Sequence, residues 1–240
     1  MKELRGVVVS RAALKGETVA RMFALMELFY THMHEAVFLR DLGRKDFCLL
    51  LYDEGGELQG FSTQQLLRLQ VGERIVHGVF SGDTIIHKAH WGSSEIFKVF
   101  ARFFLPHGEA HAFFYWFLTS KGYKTYKILP TFFKRFYPNV REDTPQEVQR
   151  VIDAFGAALY PEEYEPESGR IVYRGVKDAL RPGVADVTEQ RLRDRDTAFF
   201  VSRNPTYLQG TDLACIAELK AANLKPAAWR LLRSAAGGQL

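Results

Sequence analysis

Cysteine is almost missing from this 240-residue chain. Cys48 and Cys215 are the two present and lie far apart, which excludes a disulfide framework and fits a reducing compartment. Long apolar runs are missing too: none approaches the roughly 18 residues that span a bilayer. The opening MKELRGVVVSRAALKGETVARMF carries charge throughout and is not expected to act as a secretory leader. An excess of one charge is also lacking, with 32 basic and 28 acidic side chains and a net charge of +4. The basic residues are scattered among acids and form no stripe, so nucleic acid is not an expected partner. A phosphate ligand or an acidic carrier protein remains compatible with that charge. His87 and His90, and His32 and His34, are close in sequence but lack a third ligand or an H-E-x-x-H pattern, so no metal is expected. Together these absences predict a cytoplasmic protein without a membrane span.

The chain is ordinary in hydrophobic (47%) and charged (25%) content and unusual in phenylalanine, of which it has 19. About half of these fall between Phe97 and Phe136. They read either as an aromatic core or as the lining of a slot for a long acyl chain. Burying ten methylenes there would be worth on the order of 8 kcal/mol before ordering costs.

Apolar residues recur helically from Val19 to Phe38, predicting one broken or two consecutive helices that end near Gly43. DFCLLLYD (46–53), GFSTQQLLRLQV (60–71) and the stretch from Gly72 read as three meandering strands joined by short turns. Ser94 to Leu105 is an amphipathic helix, AHAFFYWFL (110–118) a buried strand, and Tyr126 to Tyr137 a further helix with Pro130 as start or kink. PNVREDTP (138–145) is a polar break. Beyond it, Pro145–Leu159 and Leu213–Asn223 are expected as helices and Arg170–Tyr173 as a strand.

The segment GERIVHGVFSGDTIIHKAHWGSS, Gly72–Ser94, runs from a strand through a polar turn to a helix start. Unpaired N–H groups and the helix dipole favour an anion at such a junction.

This order of elements, over roughly Val19–Pro138, resembles the GNAT acyltransferase superfamily. In that family the fourth strand leads into a glycine-rich loop whose amides hold the pyrophosphate of coenzyme A. The matching segment here is Ile86–Ile96, in which Gly92 is kept, Trp91 replaces the usual Arg, and Ser94 and Ile96 replace glycines. A branched Ile96 is expected to crowd the phosphate path. FFKRFYP, containing Tyr137, is similar to a later family segment.

The resemblance implies an α/β (α+β) fold with a mixed, mostly antiparallel sheet flanked by helices. Residues 1–140 would form the core and 141–240 a C-terminal extension. It also implies an N-acyltransferase that moves an acyl group, long-chain in the leading reading, to an amine of an amino acid, small amine or peptide. The donor would be acyl-CoA or the phosphopantetheine of an acyl carrier protein, and the protein a monomer or homodimer. A non-catalytic acyl-pantetheine-binding module and a plain acetyltransferase with a short, blocked slot are the alternatives. An amine with a pKa near 10.4 is neutral in only about one molecule in 2,500 at pH 7, so a base is needed. Candidates for proton transfer are His77, Asp83, His87 and Tyr137. Candidates for holding the donor are Thr84, Ile85, Ile86, Trp91, Gly92, Ser93, Ser94 and Lys124, with Ile85 or Ile86 offering an N–H to the thioester oxygen. Each histidine and Tyr137 also has a plain structural role open to it, Asp83 after Gly82 reads equally as a turn or bulge residue, and Lys121 and Lys124 either meet a phosphate or sit in a solvated loop.

Overall fold

The computed structural model describes residues 3–175 and 178–233. The chain begins with β1 (Arg5–Ser10), α1 (Gly16–Glu27), a short β2 (Tyr30–Thr31) and α2 (Glu35–Leu42). The meander β3 (Phe47–Tyr52), β4 (Leu58–Val71) and β5 (Arg74–Ile86) follows, then α3 (Glu95–Ala110) and β6 (Phe114–Ser120). Two short helices, α4 (Tyr123–Tyr126) and α5 (Ile128–Phe132), precede α6 (Gln146–Leu159). The remainder comprises β7 (Tyr164–Glu165), β8 (Arg170–Ile171), β9 (Ala179–Leu180), α7 (Glu189–Leu192), α8 (Arg195–Arg203), β10 (Asp212–Glu218) and α9 (Pro226–Arg233).

Eight strands form one sheet in the order β1-β3-β4-β5-β6-β10-β8-β7, and β2 pairs with β9 separately. β5 and β6 run parallel, and the other described pairs are antiparallel. The parallel pair follows from the α3 crossover, because a hairpin cannot join parallel strands. The fold is therefore a mixed, mostly antiparallel sheet flanked by helices, as expected.

Alternation along the strands sorts the core into layers. Leu49, Leu51, Val79 and Trp116 face α3 on one side, with Phe100 and Phe104 inserted among them. On the opposite side Cys48, Leu50, Phe61 and Ile85 pack under α1 and α2, and Val76, Phe80, Phe117 and Ile216 pack under α6. That face thus carries two separate helix groups with a gap between them.

The helices α1, α2, α3 and α6 lie where periodicity places them, with α3 running past Pro106 to Ala110. Three expectations need correction. Leu213–Asn223 is not helical: its apolar run is β10, paired on both sides with β6 and β8. A short apolar run reads equally as a buried helix or a buried strand, and only its neighbours decide. The expected Tyr126–Tyr137 helix stops at Phe132, because Phe133 and Tyr137 bridge to Leu224 and Ile216 of the extension. The strand expected at 110–118 is shifted to Phe114–Ser120 by the added helical turn of α3. β10 also carries the sheet across the polar break at 138–145, so residues on both sides of it share one sheet.

Gly108 of α3 faces the backbone carbonyl of Leu219, just past β10, with no room for a Cβ between them. Gly108→Ala is expected to push α3 away from β10 and cost about 2 kcal/mol, read as a lower urea midpoint with an unchanged slope.

Candidate active site

β5 and β6 stay paired from His77–Phe114 to Ser81–Leu118 and then part. The parting coincides with a bulge: Ser62 pairs with Thr84 and Gln64 with Ser81, so Gly82 and Asp83 together oppose Thr63. Gly82 is required here, since a Cβ would stand 2.8 Å from Thr63 Oγ1 and 3.1 Å from Lys45 Nζ.

Beyond the bulge the strand edge is open. Gln59 O accepts the His87 N–H at 2.7 Å, so His87 bonds toward β4. Ile86 O instead accepts the Trp91 indole N–H at 2.9 Å. By strand alternation Ile86 and Thr84 turn their main-chain groups toward the side β6 has vacated, and Ile85 turns toward β4. Thr84 and Ile86, not Ile85, are the residues whose N–H groups face the opening. Ile85 places its side chain in the cluster under α1.

A cavity lies on each face of the parted strands, and Gly82, Thr84, Thr119 and Thr125 line both. The one under α3 is small, about 30 Å³, and its walls are mainly apolar, including Ile96, Phe97, Phe100 and Trp116. A chain of buried hydrogen bonds forms its polar edge. The Trp116 indole N–H donates to Ser81 Oγ (2.8 Å) and Ser81 Oγ donates to Gln64 Oε1 (2.7 Å). Gln64 Nε2 donates to Ser62 Oγ (2.7 Å), which meets Thr84 Oγ1 (2.7 Å). Such a satisfied chain ties the bulge to β4 and β6 in one geometry.

The phenylalanines do not form a long tunnel here. Phe97 stacks on Phe132 at 4.0 Å, Phe100 meets Trp116 at 4.5 Å, and Phe103 meets Phe104 at 4.9 Å, so the rings fill the space between α3, β6 and α5 with each other. Ile96, expected to crowd a phosphate, turns into this core and lines the small cavity.

The cavity on the other face occupies the gap between the two helix groups and measures about 240 Å³. It is rich in charge: Asp41, Asp83, Asp178 and Asp212 face Arg44, Lys45 and Lys121, with Tyr30, Tyr160 and Tyr173 between them. Lys121 is held at 2.8 Å by Asp178, which with Asp212 keeps its amine charged against the cost of burial. Asp212 accepts the Tyr173 hydroxyl at 2.8 Å. Burial raises the Asp83 carboxyl above the usual carboxylate range, with Lys45 opposing. Burial also lowers the Lys45 ammonium, with Asp83 opposing. Burial therefore draws the proton affinities of carboxyl and amine toward each other, while their mutual attraction opposes both shifts.

The sequence candidates divide sharply. Asp83 and Thr84 reach the cavities. His77 lies at the far end of β5 against His111, with ring centroids 4.1 Å apart. His87 accepts the Ala89 N–H at the end of β5, and Tyr137 donates to Glu142 at 2.9 Å under α6. None of these three lines either cavity.

The donor candidates Trp91, Gly92, Ser93 and Ser94 form the turn into α3. Gly92 takes a φ of 92°, a left-handed conformation suited to glycine, and Ser93 Oγ accepts the Glu95 N–H. Lys124 Nζ stands 3.6 Å from the Trp91 ring centre and donates to Val184 O at 2.7 Å, so it belongs to this turn rather than to either cavity. Sequence reading missed Lys45, Thr119, Thr125 and the extension's Tyr160, Tyr173, Asp178 and Asp212. Lys121, read as a solvated alternative, is mostly buried. None of these sits in a recognisable motif; Asp212 at the head of an apolar run was the available signal. Among the described residues no His, Cys, Asp or Glu cluster suits a metal, and no helix is long and apolar enough to cross a membrane.

No protein-family model and no curated protein matches the chain. Solved structures resemble parts of it. A conserved Enterococcus faecalis protein described as a probable N-acyltransferase is 14% identical over 55% of this chain and 33% of its own length, with a TM-score of 0.41. A GNAT family N-acetyltransferase of Escherichia coli in complex with CoA is 13% identical over 50% of this chain and 64% of its own, at 0.35. A Trypanosoma brucei acetyltransferase is 11% identical over 59% and 100%, at 0.39. The chain thus spans about a third of the first of these proteins and under two thirds of the second. At such scores the likeness is partial and assigns no activity.

Ser81→Ala removes the acceptor of the Trp116 indole and the donor to Gln64. It is expected to cost roughly 1–3 kcal/mol in chemical unfolding and to blue-shift or broaden the tryptophan emission as Trp116 loses its fixed partner.

Proposed function

We propose that the protein is an amine N-acyltransferase of the GNAT type, taking a short acyl group from a pantetheine thioester. The observation that carries this reading is the pair of cavities on opposite faces of the split between β5 and β6, with Gly82, Thr84, Thr119 and Thr125 lining both. A thioester entering from the α3 side would lie along the open edge of β5, where the Thr84 and Ile86 N–H groups face its oxygen. The turn Trp91–Ser94 and the start of the 16-residue α3 lie on the same side, suited to the donor's phosphate. The acceptor amine would come from the opposite face, through the acidic cavity.

Asp83 is the proposed general base. It lines the acceptor cavity beside the split, and its raised pKa matches it to an ammonium better than an exposed carboxylate would be. As the amine attacks, the oxygen of the thioester gains charge while the C–S bond breaks, and the thiol carries off the proton.

The acyl group is proposed to be of acetyl size. The small cavity under α3 is walled by packed aromatic rings, and this supports the short-slot alternative over the long-chain one. Coenzyme A is the simplest carrier of such a thioester, and a carrier-protein donor uses the same thiol arm. The acceptor cavity supports a small polar amine, such as an amino acid or an amino sugar.

Thiol release from acetyl-, octanoyl- and palmitoyl-CoA across a panel of small amines tests this reading. Turnover is expected with acetyl-CoA and to fall as the chain lengthens; no turnover with any pair, or a preference for palmitoyl-CoA, would overturn it. Asp83→Asn should reduce kcat/KM by about 10²–10⁴. The base acts when ionised, and its folded pKa is raised. The rate of the native protein should therefore climb with pH on the alkaline side of the ordinary carboxylate range, and Asp83→Asn should lose that limb.

A further inference from the structure

Two lysines line the acceptor cavity, and their situations are opposite. Lys121 is committed: Asp178 takes its amine through both the carboxylate, at 2.8 Å, and the carbonyl, at 3.1 Å. Lys45 bonds through its main-chain N–H, to Leu42 O at 3.1 Å, and its side-chain amine makes no hydrogen bond or ion pair among the described residues. Its amine lies 4.5 Å from the Phe80 ring centre and 3.1 Å from where a Gly82 Cβ would stand. Gly82 is the bulge residue that lines both cavities, so the Lys45 amine, in the acceptor cavity, sits beside a residue that also borders the donor side. The missing Cβ of Gly82 leaves that space to it.

From this geometry we infer that Lys45 is a self-acylation site, the internal amine that receives the acyl group when no acceptor fills the cavity. The inference rests on the acyl-transfer reading above. Burial lowers the proton affinity of the Lys45 amine, and Asp83 lines the same cavity to take the proton. The Nζ lone pair attacks the thioester carbonyl carbon, a C–N bond forms, and the C–S bond breaks. The proton leaving nitrogen passes through the Asp83 carboxylate to the departing thiolate. The products are Nε-acyl-Lys45 and a free thiol. The new amide is not a leaving group, so the modified chain is an end state and not an acyl-enzyme intermediate. It would remove a positive charge from the cavity and occupy its floor. A bound acceptor amine would compete for the same position and suppress the modification.

The full-length protein incubated with acetyl-CoA alone, digested and mapped by mass spectrometry, tests this directly. Lys45 should acquire one acetyl group roughly tenfold or more faster than the exposed Lys15 and Lys88, the least that fixed positioning confers. The advantage should vanish in urea-unfolded chain, fall in Asp83→Asn, and leave no equivalent site in Lys45→Arg whose circular dichroism is native. Equal labelling of Lys45 and surface lysines, or the same labelling rate folded and unfolded, overturns the inference. Calorimetric titration with coenzyme A separates the two levels. Binding without preferential Lys45 labelling sinks this inference alone, whereas no binding sinks the acyl-transfer reading with it.

Discussion

The parting of β5 from β6 beyond Ser81 is the constraint on which the rest of the molecule depends. Two paired strands in mid-sheet leave no passage from one face to the other. An extra residue at Gly82–Asp83 bends β5 away while β6 remains anchored to β10 on its far side. The hydrogen-bonded chain from Trp116 through Ser81, Gln64 and Ser62 to Thr84 spans that bend and holds it. The two cavities share lining residues there because the sheet is open at that point.

The faces of the opening differ because different helix layers cover them. α3 brings aromatic rings, which pack on each other and leave a small apolar space. The opposite face is bare between α1–α2 and α6, and charged residues occupy the gap. Asp178 and Asp212 reach it from beyond the polar break, so the extension supplies part of the wall and holds Lys121 in place. Without those carboxylates a lysine this buried would lose much of its charge. The extension is thereby part of the site's electrostatics as well as of the sheet.

Much of the core architecture was legible in the chain. Helical spacing marked α1, α2, α3 and α6, the turn residues marked the meander, and the order of elements pointed to a mixed, mostly antiparallel sheet. The extension was not legible in the same way. LACIAEL is equally suited to helix or strand, and Phe133 and Tyr137 leave helical geometry because Leu224 and Ile216, far along the chain, bridge to them. The site was half legible. Asp83 and Thr84 follow a glycine interruption that marks a bulge. His77 lies on the same strand but at its other end, and His87 and Tyr137 spend their polar atoms on local partners.

By itself the sequence determined α1, α2, α3, α6 and the β3–β5 meander, since these rest on spacing and turn residues. Only the tertiary structure decided which charges meet. Lys45, Asp83, Lys121, Asp178 and Asp212 come from five separate stretches, and their proton affinities arise from mutual burial, which no spacing along the chain encodes. Tertiary packing also decided the aromatic question. The phenylalanines between Phe97 and Phe136 are compatible with a tunnel or a solid core, and those between α3, β6 and α5 stack on one another beside a small cavity at the split.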